Sequence, residues 1–312
     1  MHPAYSVIFF TTATGAGYGL LALLGFMSLL GVLPADLRFA LAGLGLAFAL
    51  IAGGLLSSTG HLGRPERAWR AFSQWRSSWL SREGVCAVLT FVPGALFGLG
   101  WILAQRTDGW VAAAGAAAAL GAVATVCCTA MIYASLKPVA QWHSRFTLPG
   151  YLIFAAMSGL TLLNAMFAVF GQPSGVLSIG AAVLTLVGWA WKRATWQHDD
   201  ALGLPVTANS ATGLAGGRVR SIEWPHSEEN YLLKEMGFRV ARKHRDRLRL
   251  IAQVLAFAVP AVLLGGVLLL PAPAATAAGL VAAFCQIAGL LVERWLFFAD
   301  AKHTVMLYYG RT

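Results

Sequence analysis

Eight runs of mainly apolar residues alternate with polar connections along most of this 312-residue chain. They are Tyr5 to Leu33, Leu37 to Ser57, Gly84 to Leu103, Trp110 to Leu136, Leu148 to Phe170, Gly175 to Trp191, Leu250 to Leu270 and Ala274 to Phe298. A helix needs about 20 such residues to cross hydrocarbon. No water reaches backbone N–H and C=O groups there, so a spanning segment must pair them within itself, as a helix does. The pattern predicts an all-α integral membrane protein with eight transmembrane helices, paired off as two four-helix bundles, with residues 1–312 as a single membrane domain. The sixth run is the shortest.

The connections are unequal. Three are tight turns, Pro34-Ala35-Asp36, Gly171-Gln172-Pro173 and Pro271-Ala272-Pro273. The sizeable ones all fall on the side that holds both termini, and the longest, residues 192–249, reads as a cytoplasmic loop. It contains an irregular Gly-rich stretch, Asn209 to Gly217. From Glu228 to Arg249, Leu232, Leu233, Met236 and Val240 recur at helical spacing among Arg239, Arg242, Lys243, Arg245, Arg247 and Arg249. That pattern predicts a basic amphipathic helix, lying on the membrane surface or touching a partner protein.

Composition agrees: hydrophobic residues are 58% and charged residues 12%, against about 25% charged in ordinary soluble domains. The net charge of +10 is one-sided. Of the 23 Lys and Arg residues only Arg38 and Arg106 fall beside the opposite face, so the positive-inside rule places the termini and large loops in the cytoplasm of a bacterial inner membrane. The first run is too long and Gly-rich for a cleaved signal peptide and lacks a basic leader. It reads as a retained helix. The expected partners are lipid and proteins docked on the basic face, not nucleic acid.

Small residues crowd the spans: Gly15, Gly17, Gly19, Gly43, Gly45 and the alanines from Ala112 to Ala119. They let helices pack closely, and those of the first span can alternatively leave room for a flat ligand or lipid tail. Pro93 and Pro260 predict kinks. Cys86, Cys127, Cys128 and Cys285 lie inside apolar runs without CxxC spacing, which argues against an iron–sulfur or zinc site in this chain. Of His2, His61, His143, His198, His226, His244 and His303, none is mid-span. No bis-histidine haem and no metal ligands are expected.

The chemistry concentrates in the second connection. It carries His61, Arg64, Arg67, Arg70, Arg76 and Arg82, with Trp69, Trp75, Trp79 and Glu83. His61 ends the second run and Glu83 opens the third, so both sit at the same rim and can face each other. A quinone site must hydrogen-bond ring carbonyls, exchange two protons with water and admit an apolar tail. Imidazole and a shielded carboxyl exchange protons near neutral pH. Arginines such as Arg64 and Arg76 supply fixed positive charge for a ring oxygen, and Trp79 suits headgroup depth. The plainer roles are interfacial anchors for Trp and Arg, a helix-capping carboxylate for Glu83, and a structural His61.

Elsewhere, Tyr133 is a candidate lining residue, Lys137 marks an interface, and Asn164 suits an interhelical hydrogen bond. Glu293 and Arg294, near the end of the last run, suit a salt bridge or snorkelling. A transporter would call for charged or broken helices near mid-membrane, which the runs do not offer. An anchor without a quinone site would not need His61.

His61-Leu62-Gly63-Arg64-Pro65, followed by Ser77-Ser78-Trp79-Leu80-Ser81-Arg82-Glu83, resembles the membrane anchor subunit of DMSO-reductase-type molybdoenzymes, within the polysulfide- and nitrite-reductase-like anchor group. The resemblance spans the chain. It implies a quinone site (ubiquinone or menaquinone) with His61 and Glu83 as the proton-exchanging pair and Arg64, Arg76, Trp79 and Tyr133 around it. It also implies no haem, and partners that hold the remaining cofactors: an iron–sulfur electron-transfer subunit and a molybdenum catalytic subunit with molybdopterin. His2 to Thr12 and Glu228 to Phe238 are more similar to the anchor of the cytoplasmic sulfite:quinone oxidoreductase, or sulfite dehydrogenase. That branch implies sulfite oxidation in the partners, with quinone taking the electrons. The alternative is a quinol-oxidising anchor of a DMSO or related oxide reductase.

Overall fold

A computed structural model describes residues 4–60, 62–203, 206–214, 216–220, 222–223, 228, 230 and 240–309, with backbone alone at 240–243. Eight helices are long and apolar enough to cross a membrane. They are α1 (Tyr5–Leu29), α2 (Leu37–Thr59), α3 (Trp79–Leu103), α4 (Gly109–Ala134), α5 (Thr147–Val169) and α6 (Gly175–Ala201), then a seventh span, His244–Leu269, and a last helix, Ala272–Ala299. A short α7 (Ala208–Thr212) precedes the seventh span, which begins in α8 (Val240–Gln253) and continues through a π-helical turn, Val254–Ala258, into α9 (Val259–Gly266). The last helix is α10. The described residues contain no strand.

Helices α1 to α4 pack as one group, and α5, α6, the seventh span and α10 as another. The two groups meet where α1 lies along α5. A methyl on Gly19 would overlap the Ala155 carbonyl, and one on Gly159 would overlap Gly19. In lipid, helices gain little by hiding apolar surface from each other, so this backbone-close packing carries association. Gly17 meets Ala47 and Ile51 of α2 in the same way, whereas Gly15 and Gly45 face open space. Large apolar side chains such as Leu99, Leu120, Val176 and Phe284 point outward, as a lipid-facing surface requires.

Helix ends follow local chemistry. The Asp36 carboxylate accepts the Phe39 N–H at 2.7 Å and starts α2. Ser174 starts α6 by accepting from Leu177 N at 3.3 Å. Helix α3 runs unbroken through Pro93. At Pro260 the seventh span departs from α-helical winding just upstream, in the π turn. Proline offers no N–H to the carbonyl four residues back, Ala256, and buried Gln286 Nε2 of α10 lies 3.5 Å from that oxygen.

Two boundaries differ from the hydropathy pattern. Helix α6 continues past Trp191 to Ala201 because its polar end is neutralised by ion pairs to α8 and α10. The helix expected over Glu228 to Arg249 is described only from Val240, where it runs straight into the seventh span. Residues 231–239 of that segment lie outside the described residues, as do His2 and Pro3.

Candidate functional site

The face reached by the first residues of α1 and the last of α10 is here the terminal face. At this face α1, α2, α3 and α4 enclose a cleft of about 590 Å³. Its walls include Val7 and Phe10, Leu55 and Thr59, Leu80, Glu83 and Gly84, and Ile132 and Tyr133. The α2–α3 connection closes over it with Leu62, Gly63, Arg64, Arg67, Ala68 and Ala71. Residues Pro65–Phe72 of that connection form 3-10 turns opened by Pro65, whose fixed φ suits a first helical position. Phe72 seats against Gly84, where a methyl would come within 3.1 Å of the ring.

Glu83 is the cleft's carboxylate and is 5% exposed. It does not cap α3, because the N-cap is Ser78 and Glu83 lies a full turn inside. The Thr129 hydroxyl of α4 donates to Glu83 Oε1 and also lies 3.1 Å from the Thr125 carbonyl. That arrangement satisfies both states of the acid. As a carboxylate Glu83 accepts from Thr129; as a carboxylic acid it donates to Thr129 Oγ1, whose own proton turns to Thr125 O. A buried carboxyl that keeps its hydrogen bonds in either state can exchange a proton without reorganising its surroundings.

The other candidate residues are placed unevenly. Arg64 lines the cleft mouth, exposed, and Tyr133 is half-buried in its wall. Tyr133 belongs to an aromatic cluster, 5.3 Å from the Trp142 ring and 5.9 Å from the Tyr151 ring. Arg76 and Trp79 are not in the lining. Arg82 ties them into the connection: its Nη2 donates to the Arg76 carbonyl at 2.7 Å, and its guanidinium lies 4.3 Å from the Trp79 ring centre. These two residues shape the connection that roofs the cleft. His61 lies outside the described residues; Thr59 and Leu62 near it in the chain line the cleft.

Two cleft residues do not stand out in the sequence pattern as candidates. Arg67 is one loop arginine among five, and nothing in the pattern separates it. Thr129 does leave a signal, since Thr125, Thr129 and Tyr133 recur every four residues in an otherwise apolar run.

A second polar centre lies between α5, α6 and α10. Glu293 is fully buried, 2.5 Å from Lys192 Nζ through one carboxylate oxygen and 2.5 Å from Arg294 Nε through the other. The expected salt bridge at Glu293 is present and buried instead of snorkelling outward. Lys192 escapes the pattern because the sixth run ends by hydropathy at Trp191. Asn164 accepts from Ser178 at 2.8 Å across α5 and α6, and Lys137 is exposed at the rim, both as expected. Among the described residues no group of three or more His, Cys, Asp or Glu is placed to hold a metal ion.

An eight-span helical membrane protein with a rim cleft, a buried carboxyl and arginines at its mouth has the build of a membrane-embedded subunit that handles a lipid-borne ligand. The chain belongs to the DMSO reductase anchor subunit family, whose model matches residues 1–310. It is thus a multi-pass membrane anchor subunit of a molybdoenzyme complex. It is also 36% identical to a subunit of the sulfite dehydrogenase of Allochromatium vinosum over 338 aligned residues, covering 99% of each chain. No solved structure matches it.

Proposed function

We propose that the cleft receives the headgroup of a membrane quinone, ubiquinone or menaquinone, and that the chain exchanges electrons between a docked iron–sulfur subunit and the quinone pool. The observation that carries this reading is the pairing of one buried, doubly satisfied carboxyl, Glu83, with a mainly apolar cleft of about 590 Å³ at the rim. The residues fit such a substrate. Val7, Phe10, Leu55 and Ile132 suit an apolar ring and tail, Arg64 and Arg67 offer charge and donors at the mouth, and Glu83 and Tyr133 offer exchangeable protons. A quinone supplies two-electron, two-proton chemistry when bound. Glu83 then holds or releases a proton at its carboxyl, Thr129 keeps it oriented, and the apolar walls exclude bulk water. His61, one residue from Leu62, is proposed as the second proton-exchanging group of the same site.

In the favoured direction a molybdenum catalytic partner oxidises sulfite and the electrons leave as quinol. The name of the Allochromatium vinosum relative, which is that of a sulfite dehydrogenase component, supports that direction. The family description, DMSO reductase anchor subunit, keeps quinol oxidation for an oxide reductase as the second reading. The basic α2–α3 connection places the terminal face in the cytoplasm of a bacterial inner membrane, where the partner subunits dock. Purified complex carrying Glu83→Gln tests the site: quinone-linked turnover drops at least a hundredfold while the partner's activity with an artificial electron acceptor persists. Unchanged quinone-linked turnover rejects it.

A further inference from the structure

The Lys192–Glu293–Arg294 triad is not needed to build the cleft, and ionisable groups inside spans are candidates for function by default. It is not sealed off. On one side Lys192 and Arg294 line a cavity of about 40 Å³ that reaches the terminal face beside Asp199, Asp200 and Asp300. On the other, Arg294 and Tyr151 line a cavity of about 20 Å³ with Thr11, Thr12 and Ser158. At roughly 10–15 Å³ per molecule, the first has room for about three waters and the second for one. The second is polar enough to hold its water: Thr12 is 5% exposed, and its hydroxyl has no partner among the described residues.

The chain of groups continues to the cleft. The Arg294 guanidinium sits 4.5 Å from the Tyr151 ring centre, Tyr151 stacks on Tyr133 at 5.9 Å, and Tyr133 lines the cleft that holds Glu83. Charge decides what this route carries. Around the triad, Glu293, Asp199, Asp200 and Asp300 face the cations Lys192, Arg294, Arg245 and Arg249. Four against four leaves no net charge to retain an ion, so proton exchange fits where ion binding does not. At the mouth, burial pushes the Asp300 carboxyl up from its ordinary value, and Arg249 and Arg245 pull against it.

We propose that the Asp300 mouth, the Glu293 triad, and the Tyr151 and Tyr133 hydroxyls form a hydrated proton route from the terminal face to the cleft, separate from Glu83. The proposal rests on the quinone reading above. Reduction of a quinone takes two electrons, from the docked electron-transfer subunit, and two protons. Glu83 supplies one ring oxygen and is reprotonated at the rim. Tyr133 supplies the other and is reprotonated through Tyr151 from water at the triad.

Two measurements test it. Hydroxyl-radical footprinting of the purified complex, which oxidises side chains beside enclosed water, should label Tyr151 despite its burial; an unlabelled Tyr151 overturns the hydrated route without reference to turnover. In the second, Glu293→Gln and Asp300→Asn complexes are assayed for quinone-linked turnover from about pH 6 to about pH 8, where proton supply becomes scarce. The route predicts a kcat loss of at least tenfold for Glu293→Gln and threefold for Asp300→Asn at the alkaline end. Both losses shrink towards the acid end, with KM for quinone unchanged. Should Glu293→Gln fail to assemble, Asp300→Asn, which leaves the triad intact, decides alone. Parental turnover at every pH overturns the route, whereas a parent complex with no quinone-linked turnover overturns the quinone reading itself.

Discussion

Thr129 on α4 donates its hydroxyl to the Glu83 carboxylate on α3, joining two helices at the wall of the cleft. The bond gives a buried acid a partner that can reverse its role, because Thr129 Oγ1 also reaches the Thr125 carbonyl. Thr129→Val keeps the shape and removes the partner. Quinone-linked turnover should fall about tenfold, equivalent to about 1.4 kcal/mol of barrier, with Thr129→Ser restoring most of it. Steady-state kinetics of the purified complex measure both; equal rates for Thr129→Val and parent would leave the bond without a role in turnover.

Arg64 and Arg67 stand at the mouth of the cleft, exposed, and Glu83 stands inside it. Substituting either arginine with Ala should raise KM for quinone several-fold and leave kcat within about twofold, since binding at the mouth is lost and proton exchange is not. A kcat-only effect would move that arginine from the mouth to the reacting atoms.

The α1–α5 contact has no space for a side chain at Gly19, where a methyl would overlap the Ala155 carbonyl. Gly19→Ala should destabilise the protein by about 1–3 kcal/mol through forced separation of the helices. Gly15→Ala, where nothing lies within 4 Å, should be neutral or slightly stabilising. Thermal unfolding in detergent compares the two, and equal melting temperatures would contradict the packing described.

His303 accepts the Val305 N–H through Nδ1 at 3.0 Å and starts the turn Thr304–Leu307. Burial holds its imidazole below the ordinary value of 6.5. A depressed histidine contributes stability that is present above 6.5 and lost as pH falls through the folded value. The Val305 amide should therefore keep its exchange protection at neutral pH and lose it under acid conditions. Hydrogen exchange read across that window checks the sign, and the loss should vanish in His303→Asn.

Eight spans were legible because hydropathy is a property of single stretches, and Asn164 because an amide inside lipid must find a partner. Glu83 was legible through its motif, but its depth was not. The apolar run starts at Gly84, whereas the helix starts five residues earlier at Trp79, so the carboxyl sits a turn inside and bonds across to α4. Lys192 was hidden for the matching reason. A charged residue ends a hydropathy run, yet Glu293, about a hundred residues away, neutralises it and lets α6 continue. Arg76 and Trp79 carried the residue types of a ligand site, and only the fold shows them bound to Arg82. Long-range pairing is absent from local pattern, and pairing decides which polar groups a membrane protein buries.

The location of the quinone headgroup tests the central claim most directly. A density map of the purified complex with quinone added should show the ring between Glu83 and Tyr133, under the Arg64 connection and on the side where the iron–sulfur subunit docks. A headgroup at the opposite rim, or an empty cleft at saturating quinone, would contradict the account.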